Sequence, residues 1–283
     1  MKPRVLITGA TGFVGRQVVK SLAQSDVLLR LIVREGRQPE ARSLVQAAAV
    51  VAIPDVFAES VEWWQHQCAD IDLVIHLAWY AEPGKYLDSP KNMDCLIGSL
   101  NLAKGAMLAG VKRFVGVGTC FEYDLTAGVL SVDTPIKPIT PYAAAKAALY
   151  LSLSESLPPS SVEFAWCRLF YLFGEGEDPR RLVPYLCSRL EKGEPAELTS
   201  GKQIRDFLDV SEAGRRIANV ALGHQAGAIN VCSGTPVTVR QLAERIADEY
   251  GRRDLLHSGA RPDNLVDPPC VLGIPNCEHG SVT

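Results

Sequence analysis

Short apolar runs alternate with segments of helical spacing along the chain up to residue 173. The first run, at residues 5–8, is followed by Phe13–Leu22, in which apolar positions recur as on one face of an amphipathic helix. The same pattern predicts further strands at residues 28–33, 48–53, 73–77, 113–117 and 164–169, and further helices at residues 92–109 and 142–157.

This alternation predicts an α/β fold, a Rossmann-type doubly wound parallel sheet with helices on both faces. After residue 173 the pattern changes to a polar loop rich in Gly and Pro at residues 174–179, followed by shorter and more charged segments. We therefore predict a dinucleotide-binding Rossmann domain at residues 1–173. A smaller α/β substrate-binding region is predicted at residues 174–283, from which strands can return to the first domain.

Composition and charge narrow the functional classes. The 283 residues are 47% hydrophobic, and their net charge of −3 comes without a basic stripe, which argues against nucleic acid as a partner. No apolar run approaches the roughly 20 residues that span a bilayer, and the N terminus does not resemble a signal peptide. We expect a cytoplasmic protein that binds neither nucleic acid nor membrane.

The cysteines and histidines lack the spacing of a metal site. Eight cysteines are scattered without a CxxC pair, and five histidines show no ligand spacing. In a chain without an export signal, we expect buried free thiols and no metal.

The sequence TGATGFVG, at residues 8–15, places Gly9, Gly12 and Gly15 directly after the first strand. Glycine lets the backbone turn tightly and approach a diphosphate. The helix N terminus that follows offers free N–H groups and a partial positive charge. The spacing is GxxGxxG rather than the common GxGxxG. A plain strand-to-helix turn is the alternative, but its place after the first strand favours nucleotide binding.

The end of the second strand bears on the choice of cofactor. NAD-binding proteins usually place an Asp or Glu here to hold the ribose 2′-hydroxyl, whereas this chain has Arg34 and Arg37, with Glu35 between them. Arginine suits a 2′-phosphate by its charge and forked donors. The arginines therefore favour NADP(H), with NAD(H) possible; solvated loop arginines are the alternative interpretation.

Tyr142 and Lys146 are four residues apart in a helix that Thr140 is expected to cap, so they share one face. An ammonium near a phenol lowers the phenol pKa from its usual value of about 10, which suits proton transfer to a sugar oxygen. Thr119 lies at the carboxyl end of the fifth strand, where reaction sites gather in open parallel sheets. Each signal alone is weak, since a solvated Tyr–Lys pair and a capping Thr are common.

Together these residues resemble the extended short-chain dehydrogenase/reductase superfamily, in its group of sugar-nucleotide epimerases and dehydratases. The motifs that carry the resemblance are, in chain order, Gly9-x-x-Gly12-x-x-Gly15, Asp55-Val56, His76-Leu77-Ala78-Trp79, Thr119, the Tyr142/Lys146 pair, Arg168-Leu169-Phe170, Arg205-Asp206-Phe207 and Ile229-Asn230-Val231-Cys232-Ser233-Gly234. The resemblance covers most of the chain.

The resemblance implies a role for each matching position. It makes Thr119, Tyr142 and Lys146 catalytic, with Lys146 also holding the nicotinamide ribose. The residues expected to bind the cofactor are Gly9, Thr11, Gly12, Phe13, Val14, Gly15, Arg34, Arg37, Asp55, Val56, Leu77, Ala78, Trp79, Tyr142 and Lys146. Those expected to bind a nucleotide-diphosphate sugar are Thr119, Cys120, Phe121, Arg205 and Arg261.

Two departures narrow the reaction that the resemblance implies. Dehydratases of the family often carry Asp-Glu directly after the active-site Thr, where this chain has Cys120 and Phe121, so elimination of water is disfavoured. Glu122 is expected to face away by the alternation of an extended strand. The Asn that the family uses in a proton relay falls at Cys95, with Asn92 one turn earlier as an open alternative.

The segment at residues 118–124 is similar to that of reductases acting on nucleotide-linked 4-keto-6-deoxyhexoses in deoxysugar biosynthesis. The expected function is therefore NADPH-dependent reduction of the C4 ketone. The alternatives are a nucleotide-sugar 4-epimerase with tightly bound NAD and a non-catalytic NADP(H)-sensing protein. Helices like those at residues 95–109 and 142–157 pair in many dimeric relatives, so a homodimer is expected; the segment after residue 272 predicts no clear element.

Overall fold

The computed structural model describes residues 2–45, 48–264 and 266–276. The strands are β1 Arg4–Thr8, β2 Leu28–Arg34, β3 Ala49–Ile53, β4 Leu73–His76, β5 Arg113–Thr119, β6 Val129–Leu130, β7 Glu163–Leu169, β8 Tyr171–Phe173, β9 Ala196–Leu198, β10 Ile204–Asp209, β11 Gly227–Val231, β12 Pro236–Thr238, β13 Leu256–Ser258 and β14 Cys270–Gly273. The helices are α1 Phe13–Leu22, α2 Gln38–Leu44, α3 Val61–Gln67, α4 Lys91–Leu108, α5 Pro141–Ser156, α6 Leu182–Glu191, α7 Val210–Leu222 and α8 Val239–Glu249.

The main sheet has seven strands in the order β11-β7-β5-β4-β1-β2-β3. Every neighbouring pair in it is parallel. The strand order reverses between β1 and β4, and ligands bind outside the carboxyl ends of strands at such a switch point. The predicted doubly wound α/β fold is therefore confirmed.

Helices cover both faces of this sheet with separate cores. On one face, α1 and α7 pack together over Val5, Ile7 and Val115. On the other face, α3, α4 and α5 enclose Trp64 and Trp166. Because both faces are covered, the central strands β1, β4 and β5 are almost continuously buried, as expected of a parallel sheet.

A smaller layer follows the polar loop that begins at Gly174. There β12, β10 and β14 form a second sheet, to which β6 and β8 from the preceding part of the chain are added beside β14 and β10, and β13 pairs with β9. Helices α6 and α8 pack together over an apolar cluster of their own. One later strand, β11, returns to the edge of the main sheet beside β7. The domain boundary at residue 173 stays a prediction.

The sequence pattern locates the main elements closely. Helix α1 matches its predicted bounds, and Thr140 caps α5 by accepting a hydrogen bond from the Ala143 N–H at 3.2 Å. Helices α2 and α3 were not predicted, because each has only 7 residues. Strand β14 ends at Gly273, and residues 274–276 form no helix or strand, as expected; residues 277–283 lie outside the described part of the chain.

No helix among the described residues has both the length and the apolar character needed to cross a membrane. Cys68, Cys95, Cys120, Cys167 and Cys232 are buried, as the sequence leads one to expect of most of its cysteines. Cys277 lies outside the described residues.

Candidate active site

The turn between β1 and α1 packs its glycines against backbone. Gly9 has a φ of +74°, and a Cβ there would come within 2.6 Å of the Ala78 nitrogen. A Cβ on Gly15 would lie 2.0 Å from the Gly9 carbonyl oxygen. Gly12 is the N-cap of α1 and provides no side-chain cap, and the first turn contains no acidic residue. Phe13 and Val14 are the first residues of α1. The free N–H groups at this helix N terminus are therefore suited to bind the diphosphate of a dinucleotide.

Two guanidinium groups converge on the carbonyl oxygen of Thr11 in this turn. Nε of Arg16 donates to it at 3.1 Å, and Nη2 of Arg37 donates at 3.3 Å. Glu40 forms ion pairs with both arginines. The structure thus brings Arg37 to the glycine turn, together with Arg16, which the sequence analysis did not single out. Arg34 is exposed at the end of β2.

The loops after β3 and β4 flank the same turn. Asp55 is exposed and its side chain accepts a hydrogen bond from the Phe57 N–H at 3.0 Å, while the neighbouring Val56 is half-buried. Leu77 donates its N–H to the Thr8 carbonyl at 3.2 Å. The predicted cofactor residues of both loops therefore follow the carboxyl ends of their strands, although their contacts with a cofactor stay a prediction.

His76 belongs to a buried hydrogen-bonded chain below this turn. Its Nδ1 lies 2.7 Å from Oγ1 of Thr8, and its Nε2 lies 2.7 Å from Oγ of Ser99. Burial, aided by the nearby Lys146 charge, lowers the pKa of His76 to about 3. The imidazole is therefore neutral near pH 7 and acts as a structural link between β1 and α4.

Thr119 ends β5 and caps the 3-10 turn Cys120–Glu122. Its N–H donates to Oε1 of Glu122 at 2.9 Å, and its Oγ1 accepts from the Phe121 N–H at 3.3 Å. The expected extended conformation is wrong here, because this reciprocal capping box turns the chain. As a result, Glu122 points into the protein interior, where it is fully buried.

Tyr142 lies close enough to Thr119 for the Thr119 side chain to act on its phenol in favour of the phenolate. Burial nevertheless dominates and raises the pKa of Tyr142 above its ordinary value. The rings of Tyr86 and Trp79 pack edge-on against the phenol ring, with centroid distances of 4.8 and 6.4 Å. The structure therefore brings Thr119 and Tyr142 together, whereas the catalytic role that the resemblance implies for both stays a prediction.

Lys146 shares the Tyr142 face of α5 but is held by other groups. Its Nζ donates to the Val117 carbonyl at 2.6 Å and lies 3.8 Å from the Trp79 ring centroid. Burial lowers the pKa of Lys146 to about 7. The expectation that Lys146 lowers the pKa of Tyr142 is wrong for this arrangement, since desolvation raises that pKa and the ammonium is engaged elsewhere.

The predicted substrate residues divide into two groups. Cys120 is buried, Phe121 packs edge-on against Tyr171 at 6.1 Å, and the Arg205 guanidinium lies 5.2 Å from the same Tyr171 ring. Tyr171 therefore joins Arg205 to the Thr119 turn. Arg205 is itself buried and paired with Asp267 at 2.6 Å.

Arg261 is placed differently. It is exposed, donates to Oη of Tyr185 at 3.1 Å and lies 3.8 Å from Glu197. These contacts hold it on the smaller layer beside α6 and β9. The structure thus does not bring Arg261 together with the Thr119–Tyr142 group.

Asn92 serves the loop after β4. Its Nδ2 donates to the carbonyls of Tyr86 and Ser89 at 2.6 and 2.9 Å, and its Oδ1 accepts from Nε1 of Trp79 at 2.8 Å. Both amide hydrogens are therefore used to hold this loop over α4. Cys95, at the position of the family's relay Asn, is buried, and burial raises the pKa of its thiol.

Sequence reasoning missed two aromatic residues of the site, Tyr86, which packs against Tyr142, and Tyr171, which packs against Phe121. Tyr86 follows the carboxyl end of β4, and Tyr171 follows that of β7. Because reaction sites gather at these ends, their position after two predicted strands was a usable signal. Burial raises the pKa of the Tyr86 phenol, although a hydrogen bond from Arg181 and the positive charge of Arg181 act to lower it.

Within the described residues, no group of three or more His, Cys, Asp or Glu side chains is arranged to hold a metal ion.

A family model of the NAD dependent epimerase/dehydratase family matches residues 5–232. The chain belongs to this family. The predicted membership of the extended short-chain dehydrogenase/reductase superfamily, in its sugar-nucleotide group, is thereby confirmed, and the protein is an enzyme of this family.

Curated relatives of similar length span several reactions. dTDP-6-deoxy-L-talose 4-dehydrogenase (NAD(+)) of Aggregatibacter actinomycetemcomitans is 26% identical over 272 residues, covering 95% of this chain and 98% of the relative. UDP-glucose 4-epimerase of Mycolicibacterium smegmatis is 27% identical, covering 89% of this chain and 84% of the relative.

Solved structures of the family share the fold. UDP-N-acetylglucosamine 4-epimerase from Methanobrevibacter ruminantium M1, in complex with UDP-N-acetylmuramic acid, superposes with a TM-score of 0.86 at 23% identity, covering 98% of this chain and 91% of that chain. dTDP-glucose 4,6-dehydratase from Streptomyces venezuelae, with NAD bound, superposes with a TM-score of 0.78 at 22% identity, covering 96% and 87%.

Proposed function

We propose that this enzyme reduces the C4 ketone of a nucleotide-linked 4-keto-6-deoxyhexose with NADPH. The observation that carries the proposal is the contact of the Thr119 hydroxyl with the Tyr142 phenol at the carboxyl end of β5. The similarity to a dTDP-6-deoxy-L-talose 4-dehydrogenase over nearly the whole of both chains supports this substrate class.

Tyr142 is suited to donate a proton. Because burial raises its pKa, the phenol carries its proton near pH 7 and can donate it to the alkoxide that forms at C4. Thr119 offers a second hydrogen bond to the same oxygen, so donors are in place before the charge develops. Lys146, one turn along α5, keeps its Nζ on the Val117 carbonyl and is assigned to hold the nicotinamide ribose.

The glycine turn, Asp55 and Val56, and residues 77–79 would hold the dinucleotide. When bound, the reduced nicotinamide supplies the hydride for the carbonyl carbon. Arg37 lies at the glycine turn with Arg16, and its Nε is buried without a hydrogen-bond partner. Guanidinium groups at this place favour the 2′-phosphate of NADP(H) over the bare ribose of NAD(H).

The residues after Thr119 argue against elimination of water. A dehydratase needs an acid and a base beside the sugar, whereas Cys120 is buried and desolvation raises the pKa of its thiol. Phe121 packs against Tyr171 and has no titratable group. A reduction needs only the hydride and one proton, which Tyr142 can donate.

Arg205 is the better candidate for the substrate diphosphate. It is buried, lies against Tyr171 and is paired with Asp267, so a dianion would compete with that carboxylate for the guanidinium. Arg261 would have to break its contacts with Tyr185 and Glu197 before it could bind the same diphosphate.

The deciding experiment measures NADPH oxidation by absorbance with dTDP-, CDP-, GDP- and UDP-linked 4-keto-6-deoxyhexoses. We expect stoichiometric oxidation with at least one of them and a 4-hydroxy product, and Tyr142→Phe to bind NADPH but not oxidise it. Failure of the wild-type enzyme with every one of these substrates would exclude the proposed reaction.

A nucleotide-sugar 4-epimerase is the second candidate, because a relative of 27% identity over 278 residues carries that activity in its name. An epimerase regenerates its cofactor. Purified protein that retains NAD through dialysis, and interconverts C4 epimers without consuming added NADPH, would establish this alternative.

We further propose a homodimer formed through α4 and α5, which pack against each other. Met93 and Ile97 on α4 and Leu151 on α5 are large apolar residues whose exposed fractions are 62%, 53% and 52%. Sedimentation velocity should give twice the chain mass, and Ile97→Glu should shift the protein to monomer because it places a charge in the apolar contact.

A further inference from the structure

The Glu122 carboxylate lies directly beneath Thr119 and is saturated with hydrogen bonds. It accepts from the Thr119 N–H at 2.9 Å, from Nε1 of Trp166 at 3.1 Å and from Nε of Arg168 at 2.7 Å. The Glu122 and Arg168 side chains are 0% and 1% exposed. All of these partners are donors, so the carboxylate acts as a fixed acceptor rather than as an acid or base for a substrate.

Strand β5 is shaped to admit this carboxylate. A Cβ on Gly118 would lie 2.2 Å from Oε1 of Glu122 and 2.2 Å from Nε1 of Trp166. Only a residue without a side chain leaves that space, since real Cβ atoms do not approach so closely. The strand that ends in Thr119 thus has a gap that the Glu122–Trp166 hydrogen bond fills.

The network continues from Arg168 into the smaller layer. Nη1 of Arg168 donates to Oη of Tyr123 at 2.9 Å, and Tyr123 donates to Oδ1 of Asn230 at 2.7 Å. Nδ2 of Asn230 donates to the carbonyls of Leu130 and Ile274 at 3.0 and 3.2 Å. The turn that carries Thr119 is therefore connected through buried polar groups to β6 and to the segment after β14.

A buried ion pair is weak evidence for stability, because the desolvation of two charges offsets much of their attraction and an apolar replacement is often neutral. The location of the Glu122–Arg168 pair is more informative than its contribution to stability. Glu122 fixes the backbone of Thr119, and the Phe121 N–H occupies one lone pair of the Thr119 hydroxyl oxygen. With the backbone and that lone pair fixed, the hydroxyl is held beside the Tyr142 phenol.

We propose that Glu122, held by Arg168 and Trp166, is a positioning residue that aims the Thr119 hydroxyl at the reacting oxygen beside Tyr142. The inference rests on the proposed ketoreduction. It assigns Glu122 a role through Thr119 and no contact with substrate or cofactor.

The test is a double-mutant cycle of Glu122→Gln with Thr119→Ala, measured as NADPH oxidation with the keto-sugar substrate. We expect Glu122→Gln to lower kcat by about 10- to 100-fold, with KM and the NADPH Kd within about threefold of wild type. In the Thr119→Ala background, the same change should cost less than about threefold, because no hydroxyl remains to be aimed.

Glu163→Gln is the matched control. Glu163 pairs with the buried Arg113 at 2.6 Å at the opposite end of β5 and β7, so its loss removes an ion pair without touching the Thr119 turn. We expect its kcat to stay within about twofold of wild type. If Glu122→Gln is too poorly folded to assay, Trp166→Phe replaces it; loss of the indole N–H should lower kcat in the same Thr119-dependent way.

The outcomes separate this inference from the proposed function. A wild-type enzyme that reduces no keto-sugar overturns the function and the inference with it. A wild-type enzyme that is active, but in which Glu122→Gln costs the same factor with and without Thr119, overturns the inference alone and reduces Glu122 to a structural role.

Discussion

Two turns at the carboxyl edge of the main sheet differ in how their backbone N–H groups are satisfied. The glycine turn after β1 leaves the N–H groups at the start of α1 without side-chain partners. The Thr119 turn after β5 satisfies its own N–H groups with the Thr119 and Glu122 side chains and anchors them on Arg168. One turn is prepared for an anionic ligand, and the other is held rigid by the protein itself.

Under the proposed function, the difference follows from what each turn would bind. A diphosphate brings its own acceptors, so backbone donors and a helix N terminus suffice. A sugar ketone brings a single weak acceptor that gains charge only during the reaction. The groups that stabilise it have to be oriented beforehand, and a buried network achieves this.

Tyr142→Phe should produce the largest effect. It tests the site at the Thr119 turn. Without the phenolic proton, we expect kcat to fall by about 1,000-fold, while the NADPH Kd stays within about twofold because the glycine turn is untouched. Stopped-flow absorbance and NADPH fluorescence titration measure the two quantities. A loss of less than about tenfold would mean that another group donates the proton.

Gly9→Ala tests the glycine turn, where the N–H groups have no side-chain cap. Gly9 and Gly110 have nearly the same positive φ, +74° and +78°, but only at Gly9 would a Cβ meet neighbouring backbone. Gly9→Ala should weaken NADPH binding by at least about 100-fold, since the clash with residue 78 has to reshape the turn. Gly110→Ala should cost only about 1 kcal/mol in urea unfolding and leave binding unchanged. Equal effects at both sites would contradict the role assigned to the turn.

Arg37→Ala tests whether this side chain favours NADP(H) over NAD(H). We expect affinity for 2′,5′-ADP to fall by about tenfold, with affinity for ADP unchanged, because the guanidinium pairs with the extra phosphate. Arg42→Ala, which removes an exposed charge on the helix that Arg37 precedes, is the control. Isothermal titration of both ligands measures this, and an equal loss for ADP and 2′,5′-ADP would remove Arg37 from the 2′-phosphate site.

His76 should show its effect in the pH dependence of stability. Its pKa is lowered to about 3 by burial, so the unfolded chain binds a proton that the folded protein does not. Stability should therefore fall as the pH drops from about 6.5 towards 3, with a contribution approaching 1.4 kcal/mol per pH unit. Urea unfolding of His76→Asn should show a shallower slope, whereas His66→Asn, an exposed position, should match wild type.

Local patterns determined much of the molecule. The apolar period set α1 at Phe13–Leu22, and the GxxGxxG spacing marked the turn whose close backbone contacts require glycine. Four-residue spacing placed Tyr142 and Lys146 on one face of α5, because a helix fixes that relation without help from the rest of the chain. Strand order likewise predicted that Thr119 lies at the carboxyl end of β5, where reaction sites gather.

The tertiary structure alone decided what surrounds those residues. Glu122 and Arg168 are separated by 46 residues and meet only because β5 and β7 are neighbours, so no local spacing reveals the pair. The direction of the shift in the Tyr142 pKa also depends on burial by side chains distant in sequence, such as Tyr86, because desolvation has the largest influence on that pKa. Short-range backbone geometry is encoded in consecutive residues, whereas desolvation and buried polar networks are properties of the assembled fold.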